Sequence, residues 1–215
     1  MERIYCLLIG YACGLFQTAY IYGKLHGIDI RQYGSGNAGT TNTLRVLGKK
    51  AGIIVLLGDI LKCIIAITIA RLLFAKSHPE MSYLLALYGA MGAILGHNFP
   101  FYLKFKGGKG IATTAGLVIA FHWIFFVIVA PIFFITFFVT HYVSLGSLLV
   151  YAAFMIELVI TGQSGLFGMS QAHLNEMYII GAFLTIMAYY KHRENIKRLL
   201  KGEERKTYLT KKSDQ

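Results

Sequence analysis

The chain has 215 residues, 56% of them hydrophobic and only 14% charged, a balance that excludes an ordinary soluble domain and points to lipid. Its charges are lopsided, 21 Lys and Arg against 10 Asp and Glu, which suits anionic lipid head groups or anionic substrates without separating the two. Cys6, Cys13 and Cys63 all fall in apolar runs with no C-x-x-C pair, so neither a disulfide framework nor a zinc site is indicated.

A membrane-crossing helix needs about 20 mostly apolar residues. Apolar runs near that length occur at 3–23, 51–75, 82–98, 111–130, 131–162 and 177–190. The first has no A-x-A cleavage site and reads as a retained helix rather than a cleaved signal. The run over 131–162 is too long for one crossing and is interrupted at 141–147, which divides it and brings the expected number of spans to seven. Gly10/Gly14 and Gly92/Gly96 repeat four residues apart, the spacing that lets helix backbones approach closely in lipid.

Lys and Arg of short loops stay on the cytoplasmic side. With seven spans, 24–50, 99–112 and 191–215 share one side and hold 17 of the 21 basic residues, whereas 163–175 holds none and 76–81 only Lys76. The expected topology has the N-terminus outside and the C-terminus inside. The fold expected is therefore an all-α integral membrane bundle of about seven transmembrane helices, one domain over 1–215, with its catalytic loops in the cytoplasm.

Three segments on that side are built to meet phosphate. The first, GSGNAGTTNTLRVLG over 34–48, has three glycines in six positions, which allow positive-φ backbone nests for anions. Ser35, Asn37, Thr41 and Asn42 add short polar groups, and Arg45 offers a planar guanidinium fork. It is not a P-loop, because Gly34 and Gly39 have that spacing but Thr40 follows in place of Lys. The second, GHNFPFYLKFKGGKGIAT over 96–113, carries Lys104, Lys106 and Lys109 and a Gly-Gly-Lys-Gly turn at a helix start, where side-chain charge and the helix dipole both favour dianions. Lysines beside a bilayer also bind head groups, which leaves Lys106 open to either reading. The third, KHRENIKRLLKGEE over 191–204, is a basic amphipathic helix that can lie on anionic lipid, with His192, Asn195 and Leu199 on one face.

These three stretches, in this order and spacing, together with Asp59-Ile60-Leu61-Lys62, resemble the signature segments of the bacterial acyl-phosphate:glycerol-3-phosphate acyltransferase family, PlsY, over essentially the whole chain. The resemblance implies a seven-helix enzyme of the bacterial cell membrane. It would carry out the first acylation of phospholipid synthesis, moving an acyl chain from acyl-phosphate to the 1-hydroxyl of glycerol 3-phosphate and releasing lysophosphatidic acid and inorganic phosphate. Carried over by position, it implies that Ser35 and Arg45 are central, that Gly107, Gly108 and Gly110 shape the glycerol 3-phosphate pocket with Lys104 on phosphate, and that His192 and Asn195 are needed for activity, with Glu204 structural. The expected partners are glycerol 3-phosphate, acyl-phosphate and membrane lipid; whether a soluble acyl-phosphate-forming enzyme docks on the basic face is left open by the sequence. No cofactor, metal or nucleic acid is expected. The chain departs from the family at Gly14-Leu15-Phe16-Gln17, where a Gly-Ser-Ile-Pro-like element is usual, so a kink there does not follow from the resemblance.

Asp59 and Lys62, three residues apart in an apolar span, read as a mutually neutralising pair that holds helices together. His122 and His141 read as packing residues among aromatics. The general base is left between His192 and a substrate phosphate. Two rivals remain: an acyltransferase using a thioester donor, against which none of the seven histidines has the H-x-x-x-x-D spacing, and a membrane anion or phosphate transporter, for which no internal repeat is visible.

Overall fold

The computed structural model describes residues 1–208, in which helices joined by loops are present and no strand occurs. Nine α-helices follow in order: α1 (Glu2–Gly14), α2 (Thr18–Leu25), α3 (Thr40–Phe74), α4 (Ser82–Asn98), α5 (Ile111–Phe121), α6 (Trp123–Thr140), α7 (Val143–Gln163), α8 (Gln171–Lys191) and α9 (Arg193–Leu200). Five stretches are long and apolar enough to cross a bilayer: Glu2–Leu25, Thr40–Phe74, Pro79–Leu103, Trp123–Thr140 and Val143–Gln163. Of the other expected spans, α5 has only 11 residues. Large apolar side chains such as Leu61, Phe134 and Ile186 are exposed on the outside of the bundle, the arrangement expected where the solvent is lipid.

The small-residue repeats do what their spacing predicts. Added methyl groups at Gly10 and Gly14 would lie 2.0 and 2.3 Å from Gly89 O and Ala93 O, and at Gly92 and Gly96 2.2 and 2.3 Å from Leu7 O and Tyr11 O. The backbones of α1 and α4 therefore touch directly, and only glycine permits it. On the far side of α4, the buried Leu85, Leu117, Phe121, Phe154 and Leu184 tie it to α5, α7 and α8.

Two expected boundaries are corrected. The division at 130/131 is not observed: the chain breaks at His122, and Pro131 lies inside α6. A helix that ends in lipid must satisfy its last carbonyls from elsewhere. Arg71 of α3 supplies the partners, donating to Ala120 O at 2.6 Å and Phe121 O at 2.5 Å, while His122 Nδ1 accepts from Ile124 N at 3.3 Å and caps α6. The second span begins at Thr40, not near 51, and turns sharply at Gly48, whose φ of +84° is open only to glycine. That turn aims the two helical turns bearing Thr41 and Arg45 away from the axis of the remaining helix.

The first span is broken even without a proline. Gln17, 1% exposed, replaces the missing helix bonds: its Nε2 reaches Gly14 O, Gly96 O and His97 O at 3.2, 3.1 and 3.0 Å.

Candidate functional site

One cavity of about 720 Å³ gathers all three glycine-rich or basic segments. Its polar end is lined by Ser35, Asn37, Thr41 and Arg45 from the first, Lys109 and Gly110 from the second, and His192, Asn195 and Arg198 from the third. The N-termini of α3, α5 and α7 all contribute to the lining, through Thr40, Ile111 and Val143, so three positive helix ends meet one space. The same cavity continues between apolar side chains, among them Ile60, Val118, Phe126, Val129 and Phe133. It offers a cationic head and an oily tail in one continuous volume.

The first segment forms the expected nest, with Gly34 and Gly36 at φ +61° and +70°. Asn42 also lines the cavity, yet its amide is already engaged: Oδ1 accepts from Ser35 N at 2.8 Å, and Nδ2 donates to Ile30 O and Tyr33 O at 3.1 and 3.0 Å. Both amide hydrogens hold the loop, and none is left for a ligand. Ser35 is exposed, and its hydroxyl makes no hydrogen bond to an imidazole or amine among the described residues.

The second segment distributes its lysines differently from the expectation. Lys104 stands outside the cavity lining, exposed, with a left-handed backbone at φ +55°. Lys109 lines the cavity instead, because the turn that closes on Asn98 O and His97 O through Gly107 N and Gly108 N delivers the next residue inward. Gly107 and Gly108 lie behind the lining, against His97, while Gly110, at φ +81°, reaches it as the first turn of α5 begins.

The third segment supplies an ordered chain of groups. Lys109 donates to Asn195 Oδ1, Asn195 Nδ2 donates to Glu204 Oε1 at 2.8 Å, and Arg198 Nε donates to Glu204 Oε2 at 2.9 Å. Burial first, then the positive charge of Arg198, lowers Lys109 to about 8, with Glu204 opposing. His192 Nδ1 lies 2.8 Å from Ala188 O, so that nitrogen donates and Nε2 remains the acceptor of a ring lining the cavity. Burial, followed by the charge of Lys109, depresses His192 to about 4.

Sequence reasoning left several further contributors out of the site. Ser144, in the first turn of α7, lines the cavity with a buried hydroxyl that has no partner among the described residues. It falls in the 141–147 interruption, which the sequence marks only as a break. Asp59 and His97 also line the cavity. Finally, Arg45 Nη2 donates to Thr207 Oγ1 at 2.6 Å and Arg205 O at 3.3 Å, which lays the segment after α9 over the mouth.

Comparison with known proteins agrees with this architecture. The family described as Glycerol-3-phosphate acyltransferase matches residues 4–202. A glycerol-3-phosphate acyltransferase of Bacillus cytotoxicus is 38% identical over 208 residues, covering 96% of each chain, and one of Clostridioides difficile is 40% identical over 202 residues, covering 93% of this chain and 92% of the other. Among solved structures, the glycerol 3-phosphate form of PlsY (YgiH), an integral membrane glycerol 3-phosphate acyltransferase, matches with a TM-score of 0.82 at 31% identity, covering 97% of this chain and 96% of that one. The lysophosphatidic acid form of PlsY (YgiH) matches with a TM-score of 0.79 at 30% identity, covering 97% of each chain. The chain belongs to the glycerol-3-phosphate acyltransferase family, PlsY, and is an integral membrane acyltransferase.

Proposed function

We propose that this protein transfers an acyl group from acyl-phosphate to the 1-hydroxyl of glycerol 3-phosphate, as the first acylation of phospholipid synthesis at the inner face of a bacterial cell membrane. One observation carries the reading: a single cavity joins a cationic, helix-N-terminal head to an apolar tail. The head suits a phosphate dianion and the tail an acyl chain, so both substrates meet where one ends and the other begins.

The glycerol 3-phosphate hydroxyl oxygen attacks the acyl carbonyl carbon, the new ester C–O bond forms, and the bond to the phosphate oxygen breaks. Lysophosphatidic acid and inorganic phosphate result. An acyl-phosphate is already activated, so the protein acts by holding the reactants and stabilising charge, contributions worth up to about 7–11 kcal/mol for positioning and about 2.7–4 kcal/mol per oxyanion donor. Arg45, Lys109 and the α3 and α5 N-termini hold phosphate oxygens, and Asn195, aligned by Glu204, fixes Lys109. Ser35 donates a hydrogen bond to phosphate. Burial holds His192 well below its ordinary value and so makes it a weak base; in this reading a substrate phosphate takes the hydroxyl proton. His192 Nε2 orients that hydroxyl as an acceptor.

The reading also includes the seven-span topology, with the N-terminus outside and the three segments in the cytoplasm. Purified protein given glycerol 3-phosphate and palmitoyl-phosphate should release phosphate and 1-acylglycerol 3-phosphate in equal amounts. Phosphate release without the acyl product would contradict it.

A further inference from the structure

At the floor of the cavity lies a polar cluster that this chemistry does not use. Lys62 Nζ is 2.8 Å from Asp59 Oδ1, 3.0 Å from Phe16 O and 2.7 Å from His97 Nδ1. An ammonium has three hydrogens, and here are three acceptors. Nδ1 of His97 therefore accepts, and Nε2 carries the ring hydrogen. Asp59 accepts a further bond from Thr18 Oγ1 at 3.2 Å, so the break between α1 and α2 is tied into the same cluster.

All three side chains are buried, at 1% exposure for Asp59, 4% for Lys62 and 3% for His97. Replacing a buried ion pair by apolar residues is commonly neutral or stabilising, so helix packing alone gives no reason for these groups. Their reason lies in what the imidazole touches. A methyl at Gly108 would lie 2.1 Å from His97 Nε2 and 2.8 Å from its Cε1, with Ala38 O of the first segment 2.9 Å from the same point. The backbone carbonyl of His97 accepts from Gly108 N at 3.1 Å and from Gln17 Nε2 at 3.0 Å. The ring is thus wedged where the two glycine-rich segments meet, one residue before Lys109.

We propose that His97 is a positioning residue for acyl transfer: anchored by Lys62, its ring sets the Gly107–Gly108 turn so that Lys109 and the N-terminus of α5 meet the substrate phosphate. The identity of that phosphate as glycerol 3-phosphate rests on the functional reading above. The role of His97 is to align, and it exchanges no proton with substrate.

His97→Asn keeps an acceptor near the place of Nδ1 and removes Nε2 and Cε1. In detergent-purified protein it should leave the thermal unfolding midpoint near that of the parent. The glycerol 3-phosphate Kd by calorimetry and the corresponding KM should rise about tenfold, and the KM for palmitoyl-phosphate should not move. Gly108→Ala, which keeps Lys62, Asp59 and His97 themselves but presses a methyl against the ring, should raise the same Kd and carries the test if His97→Asn does not fold. In the double variant the methyl no longer meets the ring, so the combined effect should be smaller than the product of the single effects.

An unchanged Kd in either folded single variant, or simple multiplication in the double variant, would overturn the proposal. Calorimetry separates the two readings: a parent that binds glycerol 3-phosphate but does not acylate it contradicts the function, while the Kd values still decide the role of His97. A parent that neither binds nor acylates contradicts both.

Discussion

Arg45 donates to the Thr207 hydroxyl at 2.6 Å, joining residues 162 positions apart across the mouth of the cavity. The guanidinium fork of the first segment is thereby held by the stretch that follows α9, whose Thr207 N also donates to His141 O at 2.9 Å. Removing the guanidinium in Arg45→Ala should raise the KM for a phosphorylated substrate by roughly 10- to 150-fold, the equivalent of a charge-assisted hydrogen bond of about 1.5–3 kcal/mol. Thr207→Val, which releases the fork, should not raise that KM. Steady-state kinetics on the two variants checks both outcomes, and equal KM for Arg45→Ala and parent would remove Arg45 from the site.

The two lysines of the second segment should behave oppositely. Lys109→Ala should raise the glycerol 3-phosphate KM by about tenfold or more, whereas Lys104→Ala, altering a side chain outside the cavity, should leave it within about twofold. The reverse ranking would contradict the assignment.

Lys109 also sets a pH dependence. Its amine is charged below about 8 and loses the proton above it, so kcat/KM should fall as pH rises through that value. Lys109→Arg keeps its charge throughout and should lose this alkaline limb. A limb that survives in the arginine variant belongs to another group.

Much of this was legible in sequence, and the failures have physical causes. Gly10/Gly14 and Gly92/Gly96 announced the α1–α4 contact because a close approach in lipid demands small residues at that interval. The three polar segments stood out because lipid tolerates such clusters only where they face water or a cavity. The break at His122 did not stand out, since its cap comes from Arg71 on another helix. Lys104 and Lys109 look alike as residues, and only the turn through Gly107 and Gly108 decides which one faces inward.

Arg71 should accordingly matter for stability and not for chemistry. Arg71→Leu leaves two carbonyls at the end of α5 without the guanidinium and should cost about 2–6 kcal/mol. The expected result is a lower unfolding midpoint in detergent with substrate KM values unchanged in the folded fraction. An unaltered midpoint would mean the helix end is satisfied otherwise.

Ser35 distinguishes one-step from two-step transfer. With no base bonded to its hydroxyl among the described residues, it should form no acyl-enzyme when palmitoyl-phosphate is added without acceptor, and kinetics should not be ping-pong. Ser35→Ala should lose only a few kcal/mol of transition-state stabilisation. A stoichiometric acyl adduct at Ser35 by mass spectrometry would establish a covalent intermediate.

The donor assay tests the central claim most directly. Purified protein is given glycerol 3-phosphate with either palmitoyl-phosphate or palmitoyl-CoA, and lysophosphatidic acid is measured. Acylation with the phosphate donor and none with the thioester is the predicted result, since the chain lacks H-x-x-x-x-D and its cavity is lined at the polar end by Arg45, Lys109 and three helix N-termini. Equal or faster turnover with palmitoyl-CoA would contradict the account.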